Sequence, residues 1–173
     1  KISKSFNEKQ LIGNGMTIPS GPLRETFTSV KKSQIIIING KKNQIFEDKI
    51  KKVSEKINIF YSKSVPLNIN DFKNKDLLAF AGIGNPENFF SLLEENNLNI
   101  KKKIAYPDHY SYLEKDIKKI KEYAEKNNLT IITTEKDYCR LNSSQKFKIE
   151  FLSINLEILE KNEFINEISK YLW

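Results

Sequence analysis

The chain has 173 residues, 39% of them hydrophobic, and carries a net charge of +7 from 29 basic and 22 acidic side chains. That length suits one domain, or one and a half, with a real core, and no apolar run approaches the roughly 20 residues of a transmembrane helix. The basic residues are lysines except for Arg24 and Arg140, and Asn and Ile are abundant. This bias resembles an AT-rich coding background, so the charge alone does not choose between nucleic acid and acidic lipid headgroups.

No nucleic-acid motif or Arg/aromatic stripe supports a nucleic-acid partner. The chain begins with Lys1 and lacks a signal-peptide pattern, which reads as a processed chain or a piece of something longer. An arginine in so lysine-rich a chain marks work that a point-charge ammonium cannot do, such as bidentate recognition of phosphate or carboxylate.

The first thirty residues read as loop. Within them, Leu11 to Glu25 holds Gly13, Gly15, Gly21, Pro19 and Pro22. Glycine admits backbone angles that other residues resist, and proline fixes φ and removes a donor, so neither a helix nor a central strand runs through this stretch. It forms either a shaped loop that delivers Arg24 and Glu25 to a defined place or an ordinary connection with a surface ion pair.

Ile35 to Ile38 is a continuous apolar run before Asn39-Gly40, which predicts a buried strand and a turn. Phe46, Ile50, Val53 and Ile57 follow at helical spacing. Residues 57–61 can be the next strand. Leu77 to Ala81 is a buried strand running into Gly82-Ile-Gly-Asn-Pro86, where Asn85 is a good helix N-cap and Pro86 a good first helical residue. That turn can hold an anion on free N–H groups or can simply position the loop. Pro86 removes one donor from the first option.

Residues 100–105 read as a strand, and Leu113, Ile117, Ile120 and Ala124 as a helical stripe. Between them, Pro107 to Tyr112 carries the only histidine, His109. It can pair with a carboxylate from elsewhere for proton transfer, or it is merely exposed while Asp108 or Ser111 caps the helix. Residues 129–134 form a strand that ends in Thr133-Thr-Glu-Lys-Asp137. This cluster either contacts a nucleotide or hydroxyl, or turns with Asp137 capping a short helix. Cys139 is the single cysteine, which excludes an internal disulfide, and no Cys/His cluster suits zinc. It reads as a buried or half-buried thiol. Residues 149–154 predict a strand, and Phe164, Ile168, Tyr171 and Leu172 a last helix.

Alternating strands and helices predict an α/β fold with a mainly parallel sheet and helices on both faces. Residues 1–30 form a linker segment and 31–173 the α/β domain. Ligands of such sheets gather at the carboxyl ends of the strands, where each of these motifs lies. No Walker A loop, Gly-x-x-x-x-Gly-Lys-Ser/Thr, occurs in the chain.

Four motifs stand in order: Gly13-Asn-Gly followed by Ile18-Pro-Ser-Gly-Pro-Leu-Arg-Glu25, then Ala79-Phe-Ala-Gly-Ile-Gly-Asn-Pro-Glu-Asn-Phe-Phe90, then Tyr106-Pro-Asp-His-Tyr-Ser-Tyr112, then Thr133-Thr-Glu-Lys-Asp137. The series resembles the tetraacyldisaccharide 4'-kinase family of the lipid A pathway of Gram-negative bacteria. The resemblance implies a P-loop kinase, peripheral at the cytoplasmic face of the inner membrane. It would transfer the ATP γ-phosphate, with Mg2+, to the 4'-hydroxyl of an acylated disaccharide phosphate.

The resemblance further implies that this chain is the C-terminal half of a two-domain enzyme, inactive alone because the P-loop half that binds ATP and Mg2+ is missing from it. Arg24 and Glu25 match the family's Pro-Leu-Arg-Glu, near the phosphates, with Glu25 an indirect metal residue. His109 matches a histidine that partners a hydroxyl-activating aspartate. Asp108, Gly82, Gly84 and Asn85 position the substrate or the loops. Tyr110 stands where many members have a second histidine. The rival readings are a non-catalytic sugar- or nucleotide-binding module and an independent α/β transferase using Asp108 and His109.

Overall fold

The computed structural model describes residues 3–7, 11–14, 16–18, 20 and 25–171. The chain divides into two compact units, one of Lys1–Val65 with Asn155–Trp173 and one of Pro66–Ile154. Each holds a four-stranded sheet, so the expected α/β class holds, with two sheets where one mainly parallel sheet was expected.

The first sheet has the order β1-β2-β3-β8, from β1 (Ser3–Asn7), β2 (Ile35–Asn39), β3 (Asn58–Pro66) and β8 (Ile154–Ile158). β1 pairs parallel with β2, Ser3 opposite Ile35, and β2 pairs parallel with β3, Ile35 opposite Asn58. The strand at Ser3–Asn7 corrects the expectation of a loop-like first thirty residues. Its Phe6 is the apolar side chain that a search for longer hydrophobic runs passes over.

Helix α1 (Gln44–Val53) starts where the Asn43 side chain accepts a hydrogen bond from the Phe46 N–H at 3.0 Å. It lays Phe46 and Ile50 against Ile36 and Ile38. Phe6 meets the Phe46 ring edge-on at 5.2 Å between centroids. The alternate residue Phe60 points to the other face, where Phe164 of α6 (Lys161–Ser169) packs edge-on at 5.3 Å.

The second sheet has the order β5-β4-β6-β7, from β4 (Asp76–Ala81), β5 (Asn99–Ala105), β6 (Thr130–Thr134) and β7 (Ile149–Leu152). All three pairings are parallel, with a register irregularity between Leu77 and Leu78 where β4 meets β5. The alternation of β4 divides the core. Leu77, Ala79 and Ala81 face Phe89, Phe90 and Leu93 of α2 (Pro86–Glu95), while Leu78 and Phe80 face Ile117, Ile120 and Ala124 of α3 (Glu114–Lys126). β4 is therefore apolar on both sides, as a central parallel strand must be. Each large side chain removed fully from water there contributes about 1.5–3 kcal/mol.

Two short helices follow β6: α4 (Glu135–Arg140) and α5 (Ser143–Lys146). The expected strand at 149–154 is β7, which ends at Leu152; β8, not expected, begins at Ile154 and belongs to the other sheet. Among the described residues no helix is long and apolar enough to cross a membrane.

Candidate functional site

The carboxyl ends of β4, β5 and β6 lie side by side, and the turns that leave β4 and β6 are tied together by one buried carboxylate. Thr134 ends β6 and caps α4, its hydroxyl accepting from the Asp137 N–H at 3.1 Å. Thr134 is thus the N-cap. Asp137, expected as a cap, is the third helical residue, and its side chain is 0% exposed. Asp137 Oδ2 accepts from the Thr134 hydroxyl at 2.7 Å and from the Gly82 N–H at 3.0 Å. Asp137 Oδ1 accepts from Arg140 Nη1 at 3.0 Å, and the same nitrogen donates to the Gly82 carbonyl at 2.8 Å. A buried carboxylate is tolerated when its lone pairs are filled and a cation balances it, and both conditions hold here.

Gly82 is required by close approach. A Cβ there would lie 2.7 Å from the Tyr112 hydroxyl and 3.3 Å from both Asp137 Oδ1 and the Pro107 carbonyl. A Cβ on Gly84 would meet Asp108 Oδ2 at 3.3 Å. The Pro107–Tyr112 loop therefore lies directly on the Gly82–Asn85 turn. Its backbone is fastened there by the Tyr106 N–H to the Ala81 carbonyl at 2.8 Å and the His109 N–H to the Gly82 carbonyl at 3.2 Å. Stacked Tyr106 and Tyr110 rings, with centroids 4.7 Å apart, stiffen it, and the Tyr110 hydroxyl donates to Asp116 at 2.9 Å. The Gln145 side-chain amide donates to the Tyr112 carbonyl at 3.0 Å. The Tyr112 hydroxyl is buried and makes no hydrogen bond. Burial, then the Asp137 carboxylate, push its ionisation well above the ordinary tyrosine range.

This scaffold presents His109, whose side chain is 72% exposed. Its φ of 58° is left-handed, a conformation that costs a non-glycine residue about 1–2 kcal/mol. Its Nδ1 lies 3.2 Å from Arg140 Nη2. Its Nε2 lies 3.8 Å from Asp108 Oδ2, beyond hydrogen-bond range. Asp108 instead accepts from the His109 N–H at 2.9 Å, which shapes the turn. Neither Asp108 nor Ser111 caps α3. Leu113 holds the cap position, and Asp116 reaches back to its N–H at 3.2 Å. Asn85 occupies the cap position of α2 with no side-chain cap bond, and Pro86 opens the helix.

Of the expected site residues, the structure gathers Gly82, Gly84, Asp108 and His109 around this turn, with Asn85 just beyond. Arg24 lies outside the described residues. Glu25 is exposed and belongs to the other unit. In the loop before it, the Asn14 side chain donates to the Ser20 carbonyl at 2.8 Å and accepts from the Met16 N–H at 3.0 Å. Among the described residues no three His, Cys, Asp or Glu side chains group as a metal site. Cys139, expected to be buried or half-buried, is exposed and lines an open, mostly apolar cleft of about 660 Å³ with Ile83, Leu152 and Ile154.

Sequence reading missed the joint role of Asp137 and Arg140. The available signal was the scarcity of arginine, which singled out Arg140 without saying what it holds.

Comparison with known proteins places these features in a family. The family model described as tetraacyldisaccharide-1-P 4'-kinase matches residues 6–172. The chain is 40% identical over 168 residues to the tetraacyldisaccharide 4'-kinase of Pelagibacter ubique, covering 95% of this chain and 54% of that protein. It is 34% identical over 167 residues to the enzyme of the same name from Rickettsia bellii, covering 96% and 51%. The chain thus spans about half the length of the curated relatives it matches. Its fold resembles the crystal structure of LpxK from Aquifex aeolicus in complex with ATP, with a TM-score of 0.62 and 17% identity over 99% of this chain and 52% of that one.

Proposed function

The chain belongs to the tetraacyldisaccharide-1-P 4'-kinase family, and from that premise we propose that it is the carboxyl-terminal part of a two-domain P-loop kinase of lipid A assembly. The reaction is transfer of the ATP γ-phosphate to the 4'-hydroxyl of an acylated disaccharide 1-phosphate. Phosphoryl transfer depends mainly on positioning and charge stabilisation, and the residues of this chain suit both tasks. His109, held on an anchored loop, orients the carboxylate that activates the hydroxyl. Arg24 and Glu25, matching the Pro-Leu-Arg-Glu motif, face the phosphates. The sequence has no Walker A loop, and ATP and Mg2+ are assigned mainly to the remainder of the enzyme, with Glu25 an indirect metal residue; this segment alone is expected to be inactive. The lysine-rich surface suits peripheral attachment to the anionic cytoplasmic face of the inner membrane, each basic residue near it adding roughly 1 kcal/mol.

The observation that carries the reading is the exposed His109 ring on a turn buttressed by a buried, fully bonded carboxylate. The test is phosphorylation of the tetraacyldisaccharide 1-phosphate by the complete enzyme with ATP and Mg2+. His109→Ala should lower turnover about 10²–10⁴-fold and leave the KM for ATP nearly unchanged. Absence of product from the complete wild-type enzyme, or near-normal turnover of the variant, would overturn the reading. ATP binding without transfer would favour a non-catalytic module instead.

A further inference from the structure

We infer that Arg140 is a positioning residue that fixes the tautomer of His109, so that the exposed nitrogen, Nε2, carries the proton and acts as a hydrogen-bond donor. The consequence for the reaction rests on the kinase reading above. The assignment of Arg140 itself does not.

The argument starts from the inventory of donors. A guanidinium has only N–H donors and stays charged at any pH a protein survives. Its Nη2 is 3.2 Å from His109 Nδ1, so Nδ1 must offer its lone pair, and in the neutral ring the proton resides on Nε2. Arg140 is not free to turn away. Its Nη1 is held by Asp137 Oδ1 at 3.0 Å and by the Gly82 carbonyl at 2.8 Å. Asp137 is in turn locked by Thr134 and the Gly82 N–H. The guanidinium side chain is 22% exposed, while the ring it touches is 72% exposed. One planar fork thus converts a buried, immobile carboxylate into a fixed orientation of a surface imidazole. A lysine in the same place has a single ammonium and cannot fill the Asp137 and His109 directions with the fork's geometry.

The result assigns His109 a role. With Nδ1 occupied and Nε2 protonated, the neutral ring cannot take a proton through its exposed nitrogen. It can donate to a carboxylate and hold it in register for the hydroxyl, as an orienting histidine rather than the proton acceptor. Asp108, at 3.8 Å from Nε2, is too far to claim that proton as a hydrogen bond.

His109 is the only histidine, so a chain labelled with 15N-histidine gives one imidazole to observe. With the ring in its neutral form, the wild-type spectrum should show a protonated Nε2 and a bare Nδ1. Arg140→Met should move the ring toward the tautomer mixture of a solvent-exposed histidine. If Arg140→Met does not fold, Arg140→Lys retains a cation for Asp137 and should show the same shift. A wild-type ring protonated at Nδ1, or a spectrum that the folded variant leaves unchanged, overturns the inference whatever the turnover.

In the complete enzyme, Arg140→Met should lower kcat by up to about 10²-fold, the cost of a misplaced reacting group. It should add no further loss on a His109→Ala background, because Arg140 acts through that ring. Independent, multiplying losses overturn the inference. Normal turnover of His109→Ala instead overturns the kinase reading, and the spectrum still decides the place of Arg140.

Discussion

Each of the two sheets carries a polar knot where a central strand runs into a helix, and the knots are built to different ends. In the Lys1–Val65 unit, the Tyr61 hydroxyl accepts from the Asn43 N–H at 3.0 Å and donates to Glu47 Oε1 at 2.8 Å. The Gly40 N–H meets the Ser62 carbonyl at 2.8 Å. These bonds fasten the β2–α1 turn and the start of α1 to β3. In the Pro66–Ile154 unit, Asp137 and Arg140 Nη1 close the Gly82 turn, and a second guanidinium nitrogen, Nη2, reaches past it to His109. Both knots satisfy the backbone groups that a strand-to-helix turn exposes. Only the second extends its order to an exposed titratable ring. A shared topology marks where a site can be, and the second knot is the one whose hydrogen bonds reach an exposed ring.

The sharpest way to break this contrast is Asp137→Ala. It leaves the Arg140 cation and the Gly82 N–H without their partner in a buried place, and removing one member of a buried pair costs about 3–5 kcal/mol. Urea denaturation should show that loss. His109→Ala, which removes only an exposed ring, should change stability by less than about 0.5 kcal/mol. The two variants would then fail for opposite reasons, one through folding and one through turnover. An Asp137→Ala chain as stable as wild type would mean that the knot is ornamental and that His109 is not held by it.

A smaller effect is expected at Gly82. An alanine Cβ would enter the space of the Tyr112 hydroxyl at 2.7 Å, with the Pro107 carbonyl at 3.3 Å blocking retreat. Overpacking of this kind costs about 1–3 kcal/mol. The clash is with a hydroxyl that makes no hydrogen bond, so adding Tyr112→Phe to Gly82→Ala should recover part of the loss in the same denaturation experiment. No recovery would place the strain in the backbone rather than at that hydroxyl.

Much of the second unit was legible because its signals are strong and local. Leu77–Ala81 is apolar at every position, as a strand buried on both faces must be, and α3 shows its stripe at Ile117, Ile120 and Ala124. The order of motifs pointed to the loop of His109 and the turn of Gly82. The link between them was not legible, because Gly82 and Arg140 are 58 positions apart and no periodicity connects a carbonyl to a guanidinium. Ser3–Asn7 was hidden for a related reason. Its polar composition carries no strand signal, and pairing with the buried Ile35–Asn39 overrides its weak propensity. The division of residues 149–158 between two sheets is likewise a tertiary fact that a nearly continuous run of strand formers conceals.

The smallest expected effect tests the closed knot. Tyr61→Phe removes the hydroxyl from Asn43 and Glu47 and should cost about 0.5–1.5 kcal/mol, the net worth of a typical hydrogen bond. It should also change how stability depends on pH. Burial, together with Glu47, raises the Tyr61 ionisation from its ordinary 10.0 to about 12, against the lowering effect of the Asn43 N–H. The folded state therefore keeps its proton at a pH where the unfolded chain releases it. The stability this provides is fully present below about pH 10 and is lost as the pH rises through about 12. Denaturation midpoints measured across that window should fall for the wild type and fall less steeply for Tyr61→Phe. Parallel slopes for the two proteins would show that the hydroxyl titrates as it does in the unfolded chain. The first knot would then be as open to solvent as the His109 ring of the second, and the contrast between the two sheet edges would collapse.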